Sequence, residues 1–398
     1  MKVIDGIPVY GPNIDPQALS QIIRCAKVPD TRVALMADHH CGYSVPIGGV
    51  VAYRNKVSPS GVGYDIGCGN KAVLTDLSLN QVAPYIDQIM DQVVSEISFG
   101  VGRRNNSEVD NLKLFDDRSS SAWDIPVVSQ LKELAIKQLG TVGSGNHYVD
   151  IFADENERIW VGVHFGSRGF GHKIASHYLK IGGGTNAIDS DPIVFDLHSD
   201  LGQEYLAAMN LAGLYAYAGR DWVCDKITKI LGGKILEEIH NHHNFAWIEE
   251  HFGELWCVVR KGATPAFPGQ KGFVGGSMGD NSVILEGIDS KESKGIFYST
   301  VHGAGRVMSR TEAAGRSRWE KGKKSPRSGG KVSRAMMEDW IKEKGVVLRG
   351  AGCDESPHCY KRLDEVIQEH SNTIKILHTL RPIGVAMASE EELDPYKD

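Results

Sequence analysis

The chain has 398 residues, of which 41% are hydrophobic and 24% charged, a composition typical of a globular protein with a large core. No apolar run approaches the length that a membrane span requires, so we expect no membrane partner. The net charge of −6 does not by itself indicate a nucleic-acid partner, and seven scattered cysteines without a CxxC pair favour a reducing compartment, by default the cytoplasm, over a disulfide framework.

Helical and strand-like segments alternate along the chain without an internal repeat. Apolar residues recur with a helical period at Pro16–Ala26, Pro84–Ile97, Val127–Leu139, Leu201–Ala218, Trp222–Leu231 and Leu363–Leu380. Short apolar or β-branched runs predict strands at Val33–Met36, Gly49–Tyr53, Lys71–Leu74, Ile159–His164, Leu255–Arg260, Ser282–Leu285 and Val346–Leu348. Because no linker rich in Pro or Ser divides these segments, we predict one large α+β domain over residues 1–398.

Residue types that bind metals stand at turns and strand ends in four parts of the chain. Asp65 and Cys68 are three apart in a glycine-punctuated turn, which lets both side chains point the same way. His147 ends a glycine-rich turn, His164 ends an apolar strand, and His243 lies in a histidine-rich segment. One carboxylate, one thiol and three imidazoles suit Mn²⁺ or Zn²⁺, and a thiolate can bridge two ions. Each residue alone is equally explained as a satisfied core or turn residue, and spacing does not show that the five converge.

The segment Ser299–Arg310 carries the strongest chemical signal. His302 leaves an apolar, strand-like run and is followed by Gly, Ala and Gly, which are small enough to let an anion approach the backbone amides. Arg306 and Arg310 are four apart, so on a helix they share a face and clamp phosphate. An imidazole presented to phosphates suits a nucleophile that carries a phosphoryl or nucleotidyl group. A buried histidine in a glycine-rich turn explains the same pattern.

Positive charge is concentrated after this segment. Residues 306–349 contain thirteen Lys and Arg against five Asp and Glu, a local charge of 13 − 5 = +8. The centre of the segment, residues 316–327, is expected to be a mobile basic loop in which Trp319 is available to stack on a base. A solvated surface loop is the alternative interpretation. The position of the loop just after the phosphate-type turn favours contact with nucleic-acid phosphates.

Six motifs occur here in the order seen in the RtcB family of RNA ligases. The motifs are Val62–Gly69, Gly145–His147, His164–Gly169, His243–Asn244, Gly276–Gly279 and His302–Arg306. The chain resembles this family from about Asp38 to Gly384. The resemblance implies mixed β-sheets with surrounding helices, and a GTP-dependent ligase that joins an RNA 3′-phosphate or 2′,3′-cyclic phosphate end to a 5′-hydroxyl end. It leaves open whether an accessory activating protein takes part.

The resemblance also implies a role for each matched residue. The implied ligands of two Mn²⁺ ions are Asp65, Cys68, His147, His164 and His243, with Cys68 as the bridging thiolate. His302 is the residue that becomes guanylylated. Contacts to the guanine nucleotide are implied for Asn146, Asp150, Ser277, Ser282, Ala304, Gly305 and Tyr360. Contacts to phosphate or RNA are implied for Arg168, Lys261, Arg306 and Arg310.

The chain departs from the family pattern at two positions. Asp150 stands where the family typically has a glutamate, and Met387 stands roughly where it has a nucleotide-contacting lysine near the chain end. An acidic extension follows from about residue 388, in which Lys397 is a candidate replacement for that lysine. Two alternative functions remain: a metal-dependent phosphatase or nuclease, which would not need His302, and a non-catalytic RNA-end binding protein.

Overall fold

The structure is a computed structural model that describes residues 1–391 except 108, 110–112, 117, 185–186, 321–322 and 327. The α-helices of the described residues are α1 (Pro16–Ala26), α2 (Pro59–Val62), α3 (Leu79–Val82), α4 (Ile86–Glu96), α5 (Pro126–Ser129), α6 (Lys132–Gln138), α7 (Arg168–Ile181), α8 (Asp200–Leu231), α9 (Lys291–Gly295), α10 (Arg310–Ala314), α11 (Arg334–Lys344) and α12 (Leu363–Gln368). Short 3₁₀ turns occur at Ala83–Tyr85, Lys113–Phe115, Ser121–Asp124, Cys353–Glu355 and Pro357–Cys359.

The strands of the same residues are β1 (Lys2–Ile4), β2 (Ile7–Val9), β3 (Thr31–His40), β4 (Ile47–Tyr53), β5 (Lys56–Val57), β6 (Gly69–Ser78), β7 (Tyr148–Ala153), β8 (Arg158–Phe165), β9 (Phe195–Asp196), β10 (Ile235–His242), β11 (Asn244–His251), β12 (Glu254–Lys261), β13 (Ala263–Pro265), β14 (Lys271–Val274), β15 (Ser282–Gly287), β16 (Ser299–Val301), β17 (Ser317–Glu320), β18 (Lys323–Pro326), β19 (Val347–Ala351) and β20 (Ile374–Ser389).

Two large sheets organise these strands. One has the order β1-β2-β3-β4-β12-β11, and the other has the order β10-β6-β8-β7-β20-β15-β14, with β19 added beside β20. Strand pairs β2–β3 and β19–β20 are parallel, whereas the other neighbours in both sheets are antiparallel. The predicted α+β fold with mixed sheets and surrounding helices is therefore confirmed.

The longest helix, α8, packs against β6 and β8 of the larger sheet. The sequence predicts two helices here, Leu201–Ala218 and Trp222–Leu231, but one continuous helix is present. Gly219 does not break it, because the missing side chain lets the helix approach Phe165 closely. Gly232 ends the helix in the left-handed conformation, with a φ of 73°. Neither α8 nor any other described helix is both long enough and apolar enough to cross a bilayer.

The helix predicted at Leu363–Leu380 is wrong over its second half. Helix α12 ends at Gln368, and β20 begins at Ile374 after a turn in which the Thr373 N–H donates to the His370 carbonyl. Strand β20 pairs with both β15 and β7. These long-range ladders override the local helical spacing.

The basic segment that the sequence predicts as a loop is a β-hairpin. Strands β17 and β18 pair antiparallel, with Ser317 opposite Pro326 and Glu320 opposite Lys323. We call residues 317–320 and 323–326 the basic hairpin. Lys321, Gly322 and Arg327 belong to the predicted loop but lie outside the described residues.

The larger sheet brings distant motifs side by side. His242 at the end of β10 lies opposite Gly69 at the start of β6. Strand β6 pairs with β8, and His164 of β8 lies opposite Tyr148 at the start of β7. Residues near positions 68, 147, 164 and 243 therefore meet at one end of this sheet, although they are far apart in the sequence.

Candidate functional site

The five residues predicted as metal ligands come together at that end of the sheet, and we call them the histidine cluster. The Cys68 sulfur lies 3.2 Å from Nε2 of His164 and 3.6 Å from Nε2 of His147. Oδ2 of Asp65 lies 3.1 Å from the same nitrogen of His147. The ring of His243 lies 5.0 Å from that of His164, centroid to centroid. The fold thus supplies the convergence that sequence spacing could not show.

Two glycines make this close approach possible. A Cβ atom at Gly166 would lie 2.1 Å from Oδ1 of Asp65, so a side chain there would displace the carboxylate. A Cβ atom at Gly69 would lie 2.2 Å from the Asn241 carbonyl oxygen, so a side chain there would push β10 away from β6. Both glycines are therefore required by contact distance.

Burial sets the charge state of the imidazoles in the cluster. It lowers the pKa of His164 and of His243 well below the usual value, so both rings are neutral and keep a lone pair. Burial alone would raise the pKa of Asp65, but the hydrogen bond and charge of His147 lower it below its usual range. The cluster therefore presents an ionised Asp65 carboxylate near the neutral imidazoles of His164 and His243.

The cluster fits a transition-metal ion. Ligand atoms of Cys68, His147 and His164 all lie within 4.8 Å of one another. Burial and the charge of Asp65 raise the pKa of the Cys68 thiol well above its usual value, so its thiolate form requires a cation nearby. Nδ1 of His243 is buried and has no hydrogen-bond partner among the described residues. Oxygen, nitrogen and sulfur donors together suit a borderline metal such as Mn²⁺ or Zn²⁺.

His302 lies beside the histidine cluster and is oriented by Asp38. Its ring centroid is 4.8 Å from that of His243, and its Nδ1 lies 2.6 Å from Oδ2 of Asp38. The backbone N–H groups of His302 and Gly303 donate to the same oxygen at 2.9 and 3.3 Å. Because a carboxylate only accepts hydrogen bonds, Nδ1 carries the ring proton and Nε2 keeps its lone pair.

Asp38 is a site residue that the sequence analysis missed. It is fully buried near the end of β3. Burial alone would raise its pKa, but His302, through its charge when the ring is protonated and through its hydrogen bonds, holds the pKa of Asp38 below its usual range. A polar residue near the end of an apolar strand is the signal that singled out His164, and the same signal was available for Asp38.

Two predicted phosphate contacts, Arg168 and Lys261, have different partners within the chain. Nη1 of Arg168, the first residue of α7, lies 3.4 Å from Nδ1 of His147, so this guanidinium touches the histidine cluster. Lys261 is buried and donates to the carbonyls of Tyr43 and Ser60 at 2.7 and 3.2 Å. Burial lowers the pKa of Lys261 to about 8.

Arg306 and Arg310 do not share a helix face, because α10 begins only at Arg310. Both arginines contact buried carboxylates, and we call these four residues the arginine cluster. Nη1 of Arg306 lies 3.1 Å from Oε2 of Glu355, and Nη2 of Arg310 lies 2.9 Å from Oδ2 of Asp354. Nε of Arg310 also lies 3.1 Å from Oε1 of Glu355. The sequence analysis missed both acids, which are more than forty residues further along the chain.

Tyr360 joins the arginine cluster to the predicted nucleotide site. Its hydroxyl accepts a hydrogen bond from Nη1 of Arg306 at 2.9 Å and donates to Glu355. The guanidinium carbon of Arg306 also lies 4.9 Å from the centre of the Tyr360 ring.

Three more predicted nucleotide contacts adjoin His302 or the histidine cluster in sequence. Ala304 and Gly305 lie two and three residues after His302, and Gly305 has a φ of +77° that favours glycine. A Cβ atom at Gly305 would lie 2.1 Å from the Asp38 carbonyl oxygen, so the loop runs against β3. Asn146 is exposed next to His147.

Ser277 and Ser282 shape a turn between β14 and β15. The Gly276 N–H donates to the Ser282 hydroxyl at 3.0 Å, and the Ser277 hydroxyl donates to Asp280 at 2.6 Å. Asp280 is in turn held by Arg362 at 2.9 Å. Both serines are therefore ordered by contacts within the chain.

Asp150 and Met387, the two departures from the family pattern, lie on paired strands. Asp150 of β7 faces Val385 of β20, and Met387 of β20 faces Tyr148 of β7. Val385, Met387 and Tyr148 are buried in one apolar cluster with Met278. Asp150 is 7% exposed, and burial raises its pKa well above the usual value.

Arg220 of α8 is a second residue near the site that the sequence did not reveal. It is fully buried and donates to the carbonyls of Gly67 and Phe165. These carbonyls directly adjoin Cys68 and His164 in the chain. Arg220 therefore ties together the two backbone segments that carry these cluster residues.

His242 and His243 point to different sides of the chain. His243 faces the histidine cluster, whereas His242 stacks on Tyr217 with ring centroids 3.8 Å apart. Nδ1 of His242 also contacts Nη2 of Arg220 at 2.9 Å. His242 is thus a packed core residue, as expected for one of two adjacent histidines.

The chain matches the family model described as tRNA-splicing ligase RtcB over residues 21–388. It is 29% identical to RNA-splicing ligase RtcB of Escherichia coli strain K12, a comparison that covers 95% of this chain and 94% of that protein. It is 31% identical to tRNA-splicing ligase RtcB of Thermococcus kodakarensis over 88% of this chain and 86% of the relative. It is 30% identical to RNA-splicing ligase RtcB homolog 1 of Entamoeba dispar over 93% of this chain and 82% of that protein.

Proposed function

Because the chain belongs to the RtcB family, we propose that it is an RNA ligase that depends on GTP and Mn²⁺. It joins an RNA 3′-phosphate or 2′,3′-cyclic phosphate end to a 5′-hydroxyl end through a covalent His302–GMP intermediate. The names of these relatives refer to RNA splicing and tRNA splicing. We extend that substrate class to this chain, with splicing or repair of RNA as the setting.

The observation that carries the proposal is the His302–Asp38 pair beside the histidine cluster. The 2.6 Å contact favours the tautomer with the proton on Nδ1 of His302, which supports Nε2 as the nucleophile. A phosphatase or nuclease that used only the metals would have no role for this pair. A non-catalytic RNA-end binding protein would need neither the oriented imidazole nor the cluster of metal-type residues.

The first chemical step follows from this geometry. Nε2 of His302 attacks the α-phosphorus of GTP, a nitrogen–phosphorus bond forms, and the bond to the β-phosphate oxygen breaks to release pyrophosphate. The imidazole then carries a positive charge, which the buried Asp38 carboxylate stabilises across the Nδ1 hydrogen bond. No other proton acceptor is needed for this step, since the proton on Nδ1 stays in place.

We assign Asp65, Cys68, His147, His164 and His243 as the residues that hold two Mn²⁺ ions. When bound, such ions offset negative charge on the triphosphate and on the RNA end. Around them, Arg168, Lys261, Arg306 and Arg310 supply positive charge for phosphates, and the basic hairpin contacts the RNA backbone. A ligating Cys68 must stay reduced, which supports a cytoplasmic location.

We propose that the guanine nucleotide contacts a set of residues around His302. The assigned contacts are Asn146, Asp150, Ser277, Ser282, Ala304, Gly305 and Tyr360. Ala304 and Gly305 are small and lie two and three residues after His302, so an α-phosphate can approach their backbone. The Ser277 and Ser282 hydroxyls line the adjoining turn.

Intact-mass spectrometry tests the proposal. Incubation of the protein with GTP and Mn²⁺ should add one GMP and release pyrophosphate. A nitrogen–phosphorus bond is labile in acid and stable in alkali, so the adduct should disappear after mild acid treatment and survive mild alkali. Absence of an adduct with any nucleotide, in protein that contains its metal, would refute the proposed function.

A further inference from the structure

Three buried polar atoms lack hydrogen-bond partners within one apolar region. Among the described residues, they are Oδ1 of Asp150, the hydroxyl of Tyr148 and Nε1 of Trp340. Tyr148 and Trp340 belong to the apolar cluster that contains Val385 and Met387, and Asp150 faces Val385 across the strands. We call these five residues the base pocket. Buried polar groups without partners are rare in folded proteins, and a missing ligand is one reason for them.

The base pocket begins next to His302. A Cβ atom at Gly275 would lie 2.1 Å from the Tyr148 hydroxyl, and Gly275 pairs by a backbone bridge with Gly303, the residue after His302. Asp150 lies two residues further along β7, which is about 7 Å of strand. A nucleotide with its α-phosphate at His302 therefore extends its base toward Asp150.

Burial favours the neutral form of the Asp150 carboxyl group. It is 7% exposed, and burial raises its pKa well above the usual value. A neutral carboxyl group has one O–H donor and one C=O acceptor. The Watson–Crick edge of adenine is complementary, since its N1 accepts and its N6 amino group donates.

Guanine is a poorer match for the same group. Its N1 and N2 positions both donate, so it requires two acceptors and therefore an ionised carboxylate, which burial of Asp150 disfavours. The thioether of Met387 has no donor for the O6 atom of guanine. The hydrogen-bond donors of Tyr148 and Trp340 do not distinguish adenine from guanine, because both purines have ring-nitrogen acceptors at N3 and N7.

We propose that the base pocket accepts adenine, so that His302 takes a nucleotidyl group from ATP as well as from GTP. This inference rests on the proposed function. The bond changes are the same as with GTP: Nε2 of His302 bonds to the α-phosphorus of ATP, and the bond to the β-phosphate oxygen breaks. Pyrophosphate leaves with the electron pair, and the Nδ1 proton stays on the hydrogen bond to Asp38.

Single-turnover labelling of the wild-type protein tests the inference. The Mn²⁺-loaded protein is mixed separately with ATP and with GTP, and the adducts, which differ by one oxygen atom, are followed by intact mass. We expect the two rates to lie within about tenfold of each other. A site whose buried polar groups demand guanine would reject ATP by about 10⁴-fold.

A pair of matched variants tests the role of Asp150. The amide of Asp150→Asn offers the same donor and acceptor pair as the neutral acid, so this variant should keep ATP labelling within about tenfold of the wild type. Asp154→Asn makes the same chemical change outside the base pocket, where Arg158 and Trp160 bind the carboxylate at 2.8 and 3.1 Å. The ratio of ATP to GTP labelling should be unchanged in this control.

The outcomes separate this inference from the proposed function. If ATP labels the protein slower than GTP by about 10³-fold or more, the inference is overturned and the ligase proposal still stands. This threshold is about a tenth of the 10⁴-fold rejection of ATP that a guanine-selective site would give. Loss of ATP labelling in Asp150→Asn, with Asp154→Asn unaffected, would also overturn it. No adduct with either nucleotide would refute both.

Discussion

The histidine cluster and the arginine cluster treat buried charge in opposite ways. Burial disfavours the protonated forms of His164 and His243, so these side chains are neutral and keep lone pairs. In the arginine cluster, each cation has a carboxylate partner at 2.9–3.1 Å, so it keeps its charge and is held in place. The first region keeps lone pairs available, whereas the second fixes the positions of guanidinium groups.

This difference predicts how each region responds to substitution. In the proposed reaction, each residue of the histidine cluster, and His302 beside it, supplies one atom that no other residue replaces. Loss of one of these residues should therefore stop a step of the reaction. Positive charges further along the chain act together, so the loss of one group of them should only weaken binding. The following substitutions test this contrast, beginning with the largest expected effect.

Replacing His302 with alanine should abolish the covalent adduct and all ligation that starts from GTP, because no other nucleophile is oriented by Asp38. The variant should still join RNA whose 3′-phosphate already bears GMP, since that later step does not use the imidazole. Intact mass and a ligation assay with pre-activated RNA measure the two steps. His378→Ala, which replaces a partly exposed histidine paired with Glu155, is the control and should label normally. Labelling that persists in His302→Ala would place the nucleophile elsewhere.

Replacing Cys68 or His164 with alanine should abolish Mn²⁺-dependent activity while the fold stays intact. Each change deletes a ligand that its neighbours cannot replace, so metal affinity should fall by more than about 100-fold. Elemental analysis and circular dichroism measure occupancy and folding. Cys224→Ala removes a buried cysteine of α8 and should leave the metal content unchanged. Full metal occupancy in the Cys68→Ala, His164→Ala double variant would contradict the assignment.

Replacing Asp38 with asparagine should slow nucleotidylation by about 10²- to 10⁴-fold, because the amide neither fixes the Nδ1–H tautomer of His302 nor stabilises its positive charge. Metal content should stay normal. Joining of pre-activated RNA should also be spared, which distinguishes a positioning role from general damage to the fold. An unchanged rate of adduct formation would show that His302 does not depend on this contact.

The sequence identified the residues that gather at the candidate site better than it identified the contacts around them. Motif residues such as Cys68 and His302 were recognisable because their chemistry requires particular residue types in glycine-rich turns. Asp38 acts through a contact 264 residues away along the chain, which no local pattern reports. Glu355 likewise reaches Arg306 only through the fold. The second half of the predicted helix Leu363–Leu380 is a strand because its partners β7 and β15 are distant in sequence.

The smallest effect is expected from the lysines of the basic hairpin and the neighbouring Lys321. Replacing Lys321, Lys323 and Lys324 with alanine should weaken RNA binding in a salt-dependent way. Each lost phosphate contact should reduce the slope of log K against log salt by about one unit. Formation of the His302 adduct should be unaffected, because these lysines are assigned to RNA and not to the nucleotide.

A control for this prediction removes the same charge from other surfaces. Replacing the exposed residues Lys27, Lys291 and Lys375 with alanine changes the net charge equally and should leave the salt slope of RNA binding unchanged. A fall that is equal in both triple variants would mean that only the overall charge matters. An unchanged salt slope in the hairpin variant would mean that the hairpin is solvated surface. Binding of RNA phosphates would then be assigned to Arg168, Lys261 and the arginine cluster alone.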